Sequence, residues 1–281
     1  EELTYMYTNS GSDILISCGG GELMCETLEY VDFDKIKNSR PKWYLGYSDN
    51  TNFTFLQTTL NDTASIYGVC AGAFGMKPWH KAINDTFSLI TGKKLHFTGY
   101  DKWEKESLKS PENPCATMNV TEERITPAFI GSKRIAREDT DITFSGRLIG
   151  GCMDCLVNLL GTKYDKVADF NERYKEDGFI WFLESCDLNV FAIRRAMWQM
   201  ENAGWFKYLK GFVIGRPLVF GQEMMGLDQY EAVLGIIGKY NVPVIMDADL
   251  GHLSPTMPLI CGSVATVSIK GNDYSIDMKL I

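Results

Sequence analysis

Two junctions in the chain carry a candidate nucleophile. In W-Y-L-G-Y-S-D-N-T an apolar run enters G-x-S and then a helical pattern. That order puts the Ser48 hydroxyl on a tight turn above a sheet. The N–H of Asp49 then falls at a helix N-terminus, where it can help bind an oxyanion. The same Ser-Asp pair also reads as a helix N-cap, and Asn50 stands where a full G-x-S-x-G elbow has its second glycine. The second junction, Y-G-V-C-A-G, offers Cys70 at G-x-C-x-G spacing. A cysteine of this kind needs a base, and neither His96-Phe-Thr nor His252-Leu-Ser supplies H-x-E. A buried thiol is the better reading of Cys70.

The base has few candidates, because the chain holds only 3 histidines. His80 and His96 lie in polar sequence, whereas His252 follows P-V-I-M-D-A-D, a strand that ends at a turn. Carboxyl ends of parallel strands are where α/β proteins place their sites. An orienting carboxylate is offered by Glu184, which closes the apolar run F-I-W-F-L-E, with Asp247 and Asp249 as competitors close to His252 in the same segment. Gly19-Gly20-Gly21 lacks the lysine and spacing of a phosphate loop and serves either to hold a turn or to present N–H groups to an anion. Cys152 and Cys155 are spaced C-x-x-C without a second pair, and no histidine shows metal-ligand spacing, so packed thiols are expected and no metal or other cofactor.

These residues must be positioned by an α/β frame. D-I-L-I-S-C, K-W-Y-L-G-Y and A-S-I-Y-G-V read as buried strands separated by helical stretches (E-L-M-C-E-T-L-E-Y-V-D-F and D-N-T-N-F-T-F-L-Q-T-T-L), which predicts a parallel sheet covered on both faces. Residues 1–76 form this N-terminal lobe, which carries the nucleophile. From 77 to 145 the pattern breaks into polar, proline-containing sequence, read as a long connection. Residues 146–281 resume the alternation in a mixed α/β C-terminal lobe. Its F-I-W-F-L-E-S, G-F-V-I-G-R-P-L-V-F and P-V-I-M-D-A-D are strands, and D-L-N-V-F-A-I-R-R-A-M-W-Q-M-E-N-A-G is a helix with Asp187 as N-cap and Gly204 as stop. A hairpin turns at Gly271-Asn272.

Composition is that of a globular protein, with 45% hydrophobic and 23% charged residues. A net charge of −8 argues against nucleic-acid or anionic-membrane partners, and no run approaches a membrane span. The acidic first residues do not read as a secretory signal. Most of the 8 cysteines sit in apolar runs, which predicts reduced thiols and a cytoplasmic protein.

Taken in order, S-C-G-G-G-E, P-K-W-Y-L-G-Y-S-D-N-T, G-G-C-M-D-C-L-V-N-L-L-G-T, F-L-E-S and G-H-L-S-P-T-M-P-L-I-C-G resemble the LD-carboxypeptidase family of serine peptidases, which includes the microcin C immunity peptidases. The resemblance runs from about residue 5 to the end. It implies a Ser48–His252–Glu184 triad divided between two lobes. It also implies an oxyanion hole from the Asp49 N–H and the Gly20 and Gly21 turn. The implied reaction is hydrolysis of an L–D peptide bond in a small peptide, such as release of D-alanine from murein tetrapeptide. The immunity branch instead cleaves peptidyl or aminoacyl groups from nucleotide-like moieties, and the long interval between Ser48 and Glu184 is similar to that branch.

Trp79 and Trp103 in the connection are candidates to stack on a base, although tryptophans in such connections are more often packing residues. Arg194, Arg195 and Arg216 are candidates for a substrate carboxylate, with ion pairs as the alternative. Relatives are often homodimers. They usually begin with a further strand–helix–strand unit, so an inactive binding protein is a third reading. Two local departures bear on substrate choice: Cys152-Met153 follows Gly150-Gly151 where relatives carry G-G-N-L, and Tyr67-Gly68-Val69 stands where they carry a His-Gly-Pro-like stretch.

Overall fold

A computed structural model describes residues 1–280. Three short strands, β1 (Ile14–Ile16), β2 (Trp43–Gly46) and β3 (Ser65–Tyr67), form a parallel sheet with β2 in the centre. The following strands are β4 (His96–Thr98), β5 (Lys102–Trp103), β6 (Glu122–Glu123), β7 (Ala128–Ile130), β8 (Lys133–Ile135) and β9 (Asp141–Cys152). The chain ends with β10 (Phe179–Glu184), β11 (Leu209–Gly215), β12 (Pro243–Ala248), β13 (Leu259–Cys261), β14 (Val264–Lys270) and β15 (Asp273–Lys279). The larger sheet has the order β4-β15-β14-β9-β10-β11-β12-β7-β8, with β9 to β12 parallel and the flanks antiparallel. This is the mixed α/β architecture that the strand–helix alternation predicts.

Residues 77–145 are more ordered than their polarity suggests. They contribute the helix Lys81–Ile90, and their strands extend the larger sheet at both edges, β4 beside β15 and β7–β8 beside β12. The long strand β9 already begins at Asp141. Two local expectations also change. The helix Val190–Asn202 is capped by Asn189, whose side chain accepts the Ala192 N–H, and not by Asp187. The stretch Glu22–Phe33 forms only the short helix Met24–Thr27 and a 3₁₀ turn.

The two sheets are joined at the centre by one buried helix and one crossing strand. The helix Thr51–Thr59 follows the β2 turn, and all its residues are buried. A single apolar face would not suffice for that, and its Phe55 stacks on Trp205 of the larger lobe at 5.3 Å. The crossing comes from the other direction. After β12 the chain leaves the large sheet, and β13 pairs antiparallel with β3 of the small one. It then returns as β14, with the Gly262 N–H donating to the Leu148 carbonyl and the Leu148 N–H to the Ser263 carbonyl, each at 2.8 Å. His252 sits in this crossing, which is why a residue of the C-terminal lobe reaches the N-terminal one.

Gly150 and Gly151 at the end of β9 explain the G-G motif by close approach. Gly150 has φ +146°, and a Cβ there would fall 1.8 Å from the Phe182 carbonyl oxygen. At Gly151 a Cβ would fall 2.6 Å from Thr51 Cγ2, so its absence lets the strand end press onto the helix Thr51–Thr59, where the Cys152 N–H donates to Thr51 Oγ1 at 3.1 Å. Substituting Gly150→Ala is expected to cost about 3 kcal/mol or more, read as a lowered thermal midpoint, because clash and backbone strain add. An unchanged midpoint would mean that the two strands can separate freely.

Candidate active site

The Ser48 turn is built by local geometry and held by two polar side chains. Tyr47 is extended, and Ser48 turns to φ +61°, a conformation that few non-glycine residues adopt. Such backbone costs of order 1–3 kcal/mol and persists only where its surroundings impose it. Asn50 does part of this: its Oδ1 accepts from the Tyr44 hydroxyl at 2.6 Å, and its Nδ2 donates to the Tyr47 and Gly19 carbonyls at 3.0 and 2.8 Å. The buried Asp49 carboxylate accepts from the Met24 N–H and from Asn52 Nδ2, each at 2.9 Å. Together they tie the Gly19–Gly21 turn to the serine turn. A Cβ on Gly20 would lie 3.1 Å from Ser48 Oγ, and one on Gly21 would lie 2.8 Å from Asp49 Oδ2.

Glu184 closes β10, every residue of which is buried, and its carboxylate is fully enclosed. One oxygen, Oε2, meets His252 Nδ1 at 2.8 Å; the other accepts from the Tyr67 hydroxyl at 2.5 Å. Gly251 makes the room, since at φ +105° a Cβ there would come within 2.6 Å of Glu184 Oε2. Burial, and then the Glu184 charge, push the Tyr67 phenol well above its ordinary range, so it remains a donor. For His252, burial disfavours the imidazolium, but the Glu184 carboxylate and the Cys186 sulfur outweigh it and lift the imidazole to about 11. The second ring nitrogen, Nε2, is buried and has no partner among the described residues. It is the nitrogen left to exchange a proton.

Asp154 steadies the turn after Glu184. Its carboxylate accepts from the Cys186 N–H at 3.1 Å and the Asp187 N–H at 2.8 Å. Cys155, on the same helix, directs its thiol at the Ser48 carbonyl at 3.5 Å. A cavity of about 360 Å³ opens over Gly20, Tyr47 and His252, bounded opposite by Glu104, Lys109 and Met118.

Several sequence candidates are placed elsewhere. Trp103 is buried against Phe220 at 5.0 Å with Arg216 over its ring, and Trp79 packs on Phe74 and Phe87, so neither lines the cavity. Arg216 is buried in an ion pair with Asp249 at 2.5 Å, and Arg194 meets Glu231. Asp247 is bonded to Gln229 and Tyr230. His80 caps a helix by accepting the Ala82 N–H, and His96 pairs with Asp277. Cys70 lies beneath the cavity, where burial pushes its thiol up. Among the described residues no three His, Cys, Asp or Glu side chains group as a metal site. The contributions of Tyr67, Asn50 and Asp154 were missed by sequence reasoning; only the departure at Tyr67-Gly68-Val69 hinted at the first.

Fold and site together define a two-lobed α/β peptidase. Residues 1–68 match the model of the LD-carboxypeptidase N-terminal domain, and residues 145–267 match that of the C-terminal domain. The chain belongs to the LD-carboxypeptidase family. It is similar to an MccF-like protein from Streptococcus pneumoniae solved in complex with AMP (TM-score 0.76, 20% identity, 99% of this chain and 82% of that one). It is also similar to the muramoyltetrapeptide carboxypeptidase from Oxalobacter formigenes (TM-score 0.71, 20% identity, 99% and 81%). In sequence it is 21% identical over 280 residues to a Streptomyces coelicolor protein named "Putative carboxypeptidase", covering 92% of this chain and 77% of the relative.

Proposed function

We propose that the protein is a serine carboxypeptidase that hydrolyses an L–D peptide bond, as in release of terminal D-alanine from a murein tetrapeptide. The observation that carries this reading is the buried Glu184–His252 pair, with Nε2 unpartnered, in a cavity lined by Tyr47, the residue before Ser48, and by Gly19 and Gly20. His252 takes the Ser48 proton through Nε2, and Oγ attacks the scissile carbonyl. The oxyanion that forms is met by the Asp49 N–H and the N–H groups of Gly20 and Gly21. Glu184 holds the Nδ1–H tautomer and supports the imidazolium. His252 then protonates the leaving amine, and water releases the acyl group with His252 again as base.

The choice of a peptide over a nucleotide conjugate rests on what lines the cavity. Trp103 is buried and the partly exposed Trp79 lies outside the cavity; among the described residues lining it, the one aromatic side chain besides the His252 imidazole is Tyr47. A base would find little to stack on. Offered a murein tetrapeptide and an aminoacyl-sulfamoyl adenosine separately, the protein is expected to release D-alanine from the first and leave the second intact. Turnover of the second alone, followed by product chromatography, would move the protein to the immunity branch.

A further inference from the structure

Glu104 borders the same cavity as His252 and is held there from two sides. Its backbone N–H donates to the Ser254 carbonyl at 2.8 Å, two residues beyond the base. Its Oε2 accepts from the Asn119 N–H at 2.6 Å. The residue is 8% exposed, yet among the described residues no lysine, arginine or histidine forms an ion pair with it, and Oε1 has no hydrogen-bond partner. Oε1 is not sealed from solvent and is open to a ligand. When it faces a cavity that must admit a substrate, the missing countercharge can come with the substrate, as charge complementarity across an interface requires. Among the described residues the cavity's cationic groups are engaged elsewhere: Lys109 is exposed and reaches the Gly72 carbonyl at 3.5 Å, and the His252 ring is paired with Glu184 at 2.8 Å.

We propose that Glu104 is a specificity-determining residue that holds a substrate ammonium group beside the scissile bond. The inference rests on the peptidase reading and deepens it: the preferred substrates are peptides with a free amine close to the residue released. Murein tetrapeptides meet this condition when the residue before the terminal D-alanine is a diamino acid with its side-chain amine free. Glu104→Gln is the informative change, because the amide carbonyl still accepts from the Asn119 N–H while the charge is gone.

The test compares a tetrapeptide with a free side-chain amine and the same peptide acetylated at that amine. Both are titrated calorimetrically into the full chain carrying Ser48→Ala, with and without Glu104→Gln, so that binding is read without turnover. With Glu104 present the free amine is expected to bind more tightly by about tenfold or more, and Glu104→Gln should erase that difference while leaving the acetylated peptide's affinity unchanged. Equal affinity for the two peptides with Glu104 present would overturn the inference. So would a preference that survives Glu104→Gln, or an equal loss for both peptides in a variant whose thermal midpoint is retained. Should the variant fail to fold, Glu104→Asp must keep a reduced preference, and full loss in a folded Asp variant counts against the ammonium contact. D-alanine release by the unsubstituted protein is measured separately. An amine preference without release would sink the peptidase reading and leave the Glu104 contact standing.

Discussion

Replacing Ser48 with alanine is expected to lower kcat for D-alanine release by about a millionfold, because nucleophile and base act as one unit. Binding of the tetrapeptide should persist, and the thermal midpoint should change little, since the turn is held by Asn50 and Asp49 rather than by the Ser48 hydroxyl. The control is Cys70→Ala. Cys70 sits under the same cavity, and the Asn50 amide approaches its sulfur at 3.7 Å. Burial raises its thiol, the opposite of what an attacking thiolate needs. Cys70→Ala should therefore keep most of the activity. Single-turnover kinetics with both variants decide the matter: a dead Cys70→Ala beside an active Ser48→Ala would replace one nucleophile with the other.

The parts of the site legible in sequence were those set by local order. Ser48 stood out because strand, glycine, serine and helix follow one another within a few residues. Glu184 stood out because an acid closing an apolar strand is unusual, and His252 because there are so few alternatives. What stayed hidden depends on contacts between distant segments. The Tyr67 hydroxyl meets a carboxylate 117 residues later, and Glu104 becomes a cavity wall only when the segment after β5 docks on Ser254. Residues 77–145 were misread for a different reason. Strands β4, β7 and β8 have three residues each, too few for a period of two to show. The edge strands β4 and β8 also carry polar side chains, such as Lys133 and Arg134 in β8, which guard against pairing with other chains. By contrast β9 has twelve residues and changes character along its length, half-exposed beside β14 and fully buried beside β10.

Glu184→Gln is expected to reduce kcat/KM by about ten-thousandfold and to move the acid limb of the pH profile downward. The size follows from the hydrogen-bond order around the carboxylate. The Tyr67 hydroxyl donates to Oε1, so a glutamine keeps its carbonyl oxygen there and turns its NH₂ toward His252 Nδ1. Nδ1 must then accept, the imidazole proton moves to Nε2, and the base nitrogen is lost. The direction follows from the charges. Base catalysis needs neutral imidazole, and Glu184, joined by the Cys186 sulfur, keeps the imidazolium stable to about 11, so the rate of the unaltered enzyme rises with pH well beyond the ordinary histidine range. Without that carboxylate, burial disfavours the charged ring, and the limb shifts to lower pH. Tyr67→Phe is expected to move the limb the other way. It leaves Oε1 without its donor, so the carboxylate holds the imidazolium more strongly, and the rate at neutral pH falls. Opposite shifts in the two variants follow only if one carboxylate is shared between the tyrosine and the histidine; shifts in the same direction would show that the base is tuned by another group.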